Sequence, residues 1–160
     1  NYLKGKRVFR SEFMRIVSAL HRDPLECIVA RHDSRFKSEH GVVCIARSVC
    51  SVHRESCVML FGSRLTPRHH PFADWDLGVA TARGHLSAGK FSRMKDIVEE
   101  KSDDYSCRID LVNFDSAPAW FIREINPQPS FCAGSTLAYR RFIRRWERVH
   151  GPERETAAVA

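Results

Sequence analysis

The feature that most constrains this chain is a pair of acids, Asp74 and Asp76, at the head of a run (residues 74–80) that is otherwise apolar. In an extended segment, side chains two apart share a face. Both carboxylates therefore point one way, while Trp75 and Leu77 point the other. Two ionised carboxylates held that close repel each other, and a hard cation such as Mg²⁺ relieves the repulsion. A second apolar run, residues 57–61, ends on Gly62-Ser63, with ten residues between Ser63 and Asp74. Glycine lets a backbone approach a ligand closely, and the adjacent amides and hydroxyl suit phosphate oxygens. A third run, residues 107–114, brackets Asp110 between Ile109 and Leu111. An acid among aliphatics on a strand calls for a compensating charge. Taken singly, each feature has a plain explanation: a turn, a solvated strand end, an exposed strand face.

Around these three strands the apolar spacing predicts helices. Phe9, Phe13, Ile16, Val17 and Leu20 recur at helical spacing over residues 9–21, and Asp23-Pro24 closes that segment. A second helix is expected from about Glu39 to His53, with Val42, Ile45, Ala46 and Val49 on one face. Phe91, Met94 and Val98 mark a third over about 87–101, and Asp115-Ser116 is a candidate cap for a fourth ending at Ile125. Pro127 and Pro129 break the chain there, and a last helix carries Tyr139, Phe142, Ile143, Trp146 and Val149. The expected fold class is α/β (α+β), a small mixed sheet of about four strands with helices on one side. The chain divides into an extension (1–38), a central domain (39–125) and a basic helical tail (126–160).

Charge is distributed to match that division. Residues 1–55 carry 11 basic and 6 acidic side chains, residues 56–125 carry 9 and 10, and residues 126–160 carry 6 and 3. The near-neutral centre lies between basic flanks, which suit nucleic acid or an acidic partner. No apolar run approaches the roughly 18–20 residues that span a bilayer, so no membrane role and a cytoplasmic location are expected. The six cysteines include no C-x-x-C pair, which argues for reduced thiols rather than zinc or a disulfide framework.

The combination is more specific than its parts. Leu60-Phe61-Gly62-Ser63-Arg64, Ala73-Asp74-Trp75-Asp76-Leu77-Gly78-Val79 and the stretch from Ile109-Asp110-Leu111 to Ala117-Pro118 resemble the minimal nucleotidyltransferases (MNT type) of the DNA polymerase β-like superfamily. Phe121-Ile122-Arg123-Glu124-Ile125 extends the likeness, which covers about residues 39–125. The resemblance implies a polymerase β-like nucleotidyltransferase fold and a metal-dependent transfer of a nucleoside monophosphate, AMP from ATP, onto a protein or nucleic-acid hydroxyl. It implies two Mg²⁺ ions held by Asp74, Asp76 and Asp110, with Asp110 also the general base. The triphosphate would rest on Gly62, Ser63 and Arg64. It also implies a role as antitoxin of a HEPN-type protein partner. The alternative is a non-catalytic antitoxin-like module that neutralises its partner by contact. Two departures stand out: residues 1–38 have no family counterpart, and the 64–73 loop carries Pro67, His69, His70 and Pro71 where glycine or small polar residues are commoner.

Weaker signals remain. His69-His70 lacks a third metal ligand nearby. Arg35 and His40 match the R-x4-H spacing of HEPN ribonucleases, a match that chance readily supplies. Tyr139 and Trp146 on the arginine-rich last helix could stack on RNA, although an apolar stripe at helical spacing more often packs a core. Tyr2, Tyr105 and Tyr139 are candidate acceptors of self-modification.

Overall fold

The structure, a computed structural model, describes residues 34–67, 70 and 73–151, and side chains from residue 39 onward. The helix expected over 9–21, Arg35's side chain, Tyr2, Cys27 and His69 therefore lie outside the described residues. The elements are α1 (Ser34–Val52), β1 (Ser56–Phe61), a 3-10 turn (Ser63–Leu65), β2 (Trp75–Thr81), α2 (Ala88–Tyr105), β3 (Ile109–Asn113), α3 (Ala119–Glu124), β4 (Ser130–Gly134) and α4 (Thr136–His150). The four strands form one mixed sheet in the order β3-β2-β1-β4. β1 runs antiparallel to both β2 and β4, while β2 and β3 are parallel and joined through α2. That connection is required, because parallel strands cannot be joined by a tight turn.

Alternation along the strands divides the core. Val58 and Leu60 of β1, with Trp75, Leu77 and Val79 of β2, pack with Val42, Ile45 and Val49 of α1 and Met94 and Val98 of α2. Cys57, Met59 and Phe61, with Ala80, pack on the other face with Phe114, Ile122 and Phe142. Helices thus cover both faces of the sheet, not the single face expected. The reason is that β1 is buried along its whole length, as a strand covered on both sides must be.

The segment beyond Ile125, expected as a basic tail, supplies β4 and α4 to this architecture. Phe142 is fully buried and stacks on Phe114 with ring centroids 4.5 Å apart. Trp146 Nε1 donates to the Ile125 carbonyl at 2.9 Å. Gly78 makes this packing possible, since a Cβ there would overlap the Phe114 ring. The helix before Ile125 begins at Ala119 with Pro118 as its N-cap, so Asp115 does not cap it. Asp115 instead accepts from Thr81 N at 3.0 Å, Thr81 Oγ1 at 2.6 Å and Arg141 Nη1 at 3.0 Å. This almost wholly buried carboxylate ties the end of β2 to α4. α1 begins five residues earlier than the apolar spacing indicated, at Ser34. Among the described residues the cysteines are free thiols, and burial pushes the Cys132 thiol up to about 12.

Candidate active site

The acids and the glycine turn meet at one end of the sheet. Phe61, Asp76 and Asp110 are register partners across β1, β2 and β3, so they lie side by side in one row. Asp74 precedes β2 by one residue and belongs on the same face as Asp76 by the two-residue repeat. The sheet's core ends at Phe61. Beyond it the row becomes polar, with Asp76 half-buried and Asp110 exposed.

Gly62 follows β1 with φ +76° and ψ −153°, a region that is essentially glycine's alone. A Cβ there would collide with Asp76 Oδ2. Any other residue would thus be strained at this position and would also displace the carboxylate. The turn is closed by Leu65 N donating to the Gly62 carbonyl at 3.2 Å, and by Thr66 N and Oγ1 donating to the Ser63 carbonyl at 2.9 and 2.7 Å. These bonds leave the Ser63 side chain exposed.

Arg64 is drawn back toward β2. Its Nε donates to the Ala73 carbonyl at 3.0 Å, its Nη2 donates to the same oxygen, and its guanidinium carbon lies 4.1 Å from the Trp75 ring centroid. Arg64 therefore clamps the loop immediately before Asp74. Sequence spacing gave no sign of this clamp.

Electrostatics single out Asp76. Burial raises its pKa above the usual carboxylate value, and the neighbouring Asp110 and Asp74 raise it further, while Arg64 acts against them. Asp74 pairs with Arg108 Nε at 3.5 Å, and both side chains are well exposed. Among the described residues no three His, Cys, Asp or Glu side chains are gathered closely enough to grip an ion. The donor chemistry nonetheless fits a divalent cation. Three hard carboxylates flank a backbone turn, and the middle one is destabilised in its charged form by the other two. An open cleft of about 500 Å³ runs from Asp74 and Asp110 between β3 and α2, past Lys95, Glu99, Ser102 and Arg108. Asp76, Gly62 and Ser63 are not among its lining residues: Val98, Cys107, Ile109 and Leu111 place it on the α2 face of the sheet edge, the face of Trp75 and Leu77. Arg108, which pairs with Asp74, is the residue here that no short motif marked.

This is a mixed-sheet domain with a glycine turn and strand-borne acids at one end of the sheet, the architecture of a nucleotidyltransferase. The family model described as "Polymerase beta, Nucleotidyltransferase" matches residues 49–129, half of the chain, and the chain belongs to that family. A solved structure of a tri-AMPylated HEPN toxin of Shewanella oneidensis in complex with an MNT antitoxin contains a chain similar to this one. The two are 14% identical over 73% of this chain and 83% of that one, with a TM-score of 0.47. No curated protein sequence matches the chain. Among the described residues no helix is long and apolar enough to cross a membrane.

Proposed function

We propose that this protein is a minimal nucleotidyltransferase that moves AMP from ATP onto a hydroxyl of a HEPN-type protein partner. The observation that carries the proposal is the register pairing of Asp76 with Asp110, with the Gly62 backbone packed against Asp76. Asp74, Asp76 and Asp110 are the residues that would hold Mg²⁺. When bound, the metal neutralises the triphosphate and the oxygens that gain charge during transfer. The Gly62 and Ser63 amides and the Ser63 hydroxyl receive the outer phosphates. Arg64 is better suited to fixing the loop than to direct phosphate contact, because Ala73 and Trp75 already occupy its guanidinium. The acceptor oxygen attacks the α-phosphorus, the bond to the β-phosphate oxygen breaks, and pyrophosphate leaves. Asp110, exposed beside the cleft, takes the hydroxyl proton.

The Asp74–Arg108 pair favours a second reading, a contact-only module whose acids are occupied by the chain's own cation. One experiment separates the two. The protein is incubated with labelled ATP, Mg²⁺ and the HEPN-type partner, and transfer is followed by intact mass. Transfer that disappears in Asp76→Asn and Asp110→Asn supports catalysis. Wild-type transfer by Asp76→Asn refutes the metal assignment, and partner binding without any transfer supports the contact-only module.

A further inference from the structure

Helix α4 has two faces of opposite use. Ala138 and Phe142 are buried, and Arg141 and Arg145 are turned inward, with Arg141 on Asp115 and Arg145 on the Phe114 and Ala117 carbonyls. The outward face begins with Leu137, which is 65% exposed, and continues through Arg140, Arg144 and Arg148 at steps of three, four and four residues. At 1.5 Å per residue this stripe is about 16 Å long, with one guanidinium per turn. No ion pair engages these three arginines among the described residues; Arg148 Nε donates weakly to the Arg144 carbonyl at 3.4 Å. Glu147 lies at the rim of the same face.

We infer that this face docks an acidic amphipathic helix of a protein partner. The inference does not depend on the catalytic reading. Three observations choose a protein over RNA. The aromatics of α4 face inward: Tyr139 Oη donates to the Pro129 carbonyl at 3.0 Å, and Trp146 Nε1 is held on Ile125. The helix therefore offers no stacking platform for bases, which single-stranded RNA requires in addition to charge. In their place stands an apolar anchor, Leu137. Trp120, the other large apolar side chain left exposed among the described residues, belongs to the short helix α3 and not to this face of α4. Arginine is enriched where protein interfaces concentrate their energy, around a dehydrated apolar centre. Finally, Glu147 repels a phosphate backbone but can pair with a lysine, which fixes the register of a helical partner. Carboxylates at four-residue spacing on that partner match the arginine steps turn for turn.

Fluorescence anisotropy of the full-length protein tests this. One probe is a labelled helical peptide with glutamate at every fourth position beside a leucine seam; the other is labelled oligouridylate. The wild type is expected to prefer the peptide at physiological salt. Arg140→Glu/Arg144→Glu/Arg148→Glu should weaken peptide binding by about tenfold or more, and Leu137→Ser by several-fold. All variants should keep wild-type circular dichroism and melting, because none of these side chains packs in the core. The milder Arg144→Gln serves if the triple reversal fails to fold. Tighter binding of oligouridylate that is indifferent to Leu137→Ser would assign the face to nucleic acid. Failure of the wild type to bind the peptide, or unaltered peptide binding by the variants, would overturn the inference.

Discussion

Neutralising Asp76 should stabilise this protein while disabling it. Asp76 and Asp110 are register partners across the parallel β2–β3 pair, with Asp74 close by, and Arg64 offsets the repulsion at Asp76 only in part. Like charges directly opposite on neighbouring strands cost roughly 0.2–1 kcal/mol. Partial burial of Asp76 favours the upper end, while exposure of Asp110 screens the interaction and limits it to about 1 kcal/mol. Asp76→Asn keeps the shape and removes the charge, so in chelator its melting temperature should rise by about 2–4 °C, the scale for about 1 kcal/mol in a chain of this size. The sign of the pH dependence follows. A carboxyl whose folded pKa is raised above its usual 3.8 lowers stability as pH climbs through that window, and the penalty persists at neutral pH. The advantage of Asp76→Asn should therefore be full at pH 7 and shrink as pH falls through the raised pKa toward 3.8. Added Mg²⁺ should stabilise the wild type and leave the variant nearly unmoved. Differential scanning fluorimetry across pH, with and without Mg²⁺, measures all three effects. A lower melting temperature for Asp76→Asn in chelator would mean that the carboxylate supports the fold. Equal stabilisation of both proteins by Mg²⁺ would place the ion elsewhere.

Two further substitutions probe the supporting frame. Gly62→Val combines a backbone conformation closed to β-branched residues with a collision at Asp76, so calorimetry should show loss of Mg²⁺-dependent ATP binding; wild-type affinity would exclude this turn from the phosphate site. Phe142→Ala removes a fully buried ring stacked on Phe114 and should cost about 3–5 kcal/mol in urea unfolding, whereas a tail outside the core would predict almost none.

Much of the frame was legible because strand and helix periods leave direct marks on a sequence. The runs at 57–61, 74–80 and 107–114 correspond to β1, β2 and β3 with boundary shifts of one or two residues. β4 was not legible. Ser130–Gly134 is only five residues long, follows Pro129, and carries no alternating apolar pattern strong enough to stand apart from a loop. It becomes a strand because β1 offers a free edge to pair with, and an edge tolerates a nearby proline. The helix faces failed for a related reason. Periodicity in α4 shows that one side is apolar, but not that this side covers the second face of the sheet. The burial of β1 along its full length is what requires it.

The site itself divides along the same line. The two-residue repeat is local, so the shared face of Asp74 and Asp76 could be read directly. Their neighbourhood with Asp110 is not local: it depends on the parallel register set by the α2 crossover, and the sequence supported it only through family resemblance. Charges whose partners lie far along the chain were invisible altogether. Asp115, read as a helix cap, is instead the acceptor for Thr81 and Arg141. Arg64, whose phosphate role rests on the family resemblance, also grips Ala73 nine residues away. In both cases composition announces a charge and topology decides what it meets. Asp76 and Asp110 lie in register beside one another, and Arg64 offsets the raised pKa of Asp76 only in part, so their placement fits the chemistry of a divalent cation.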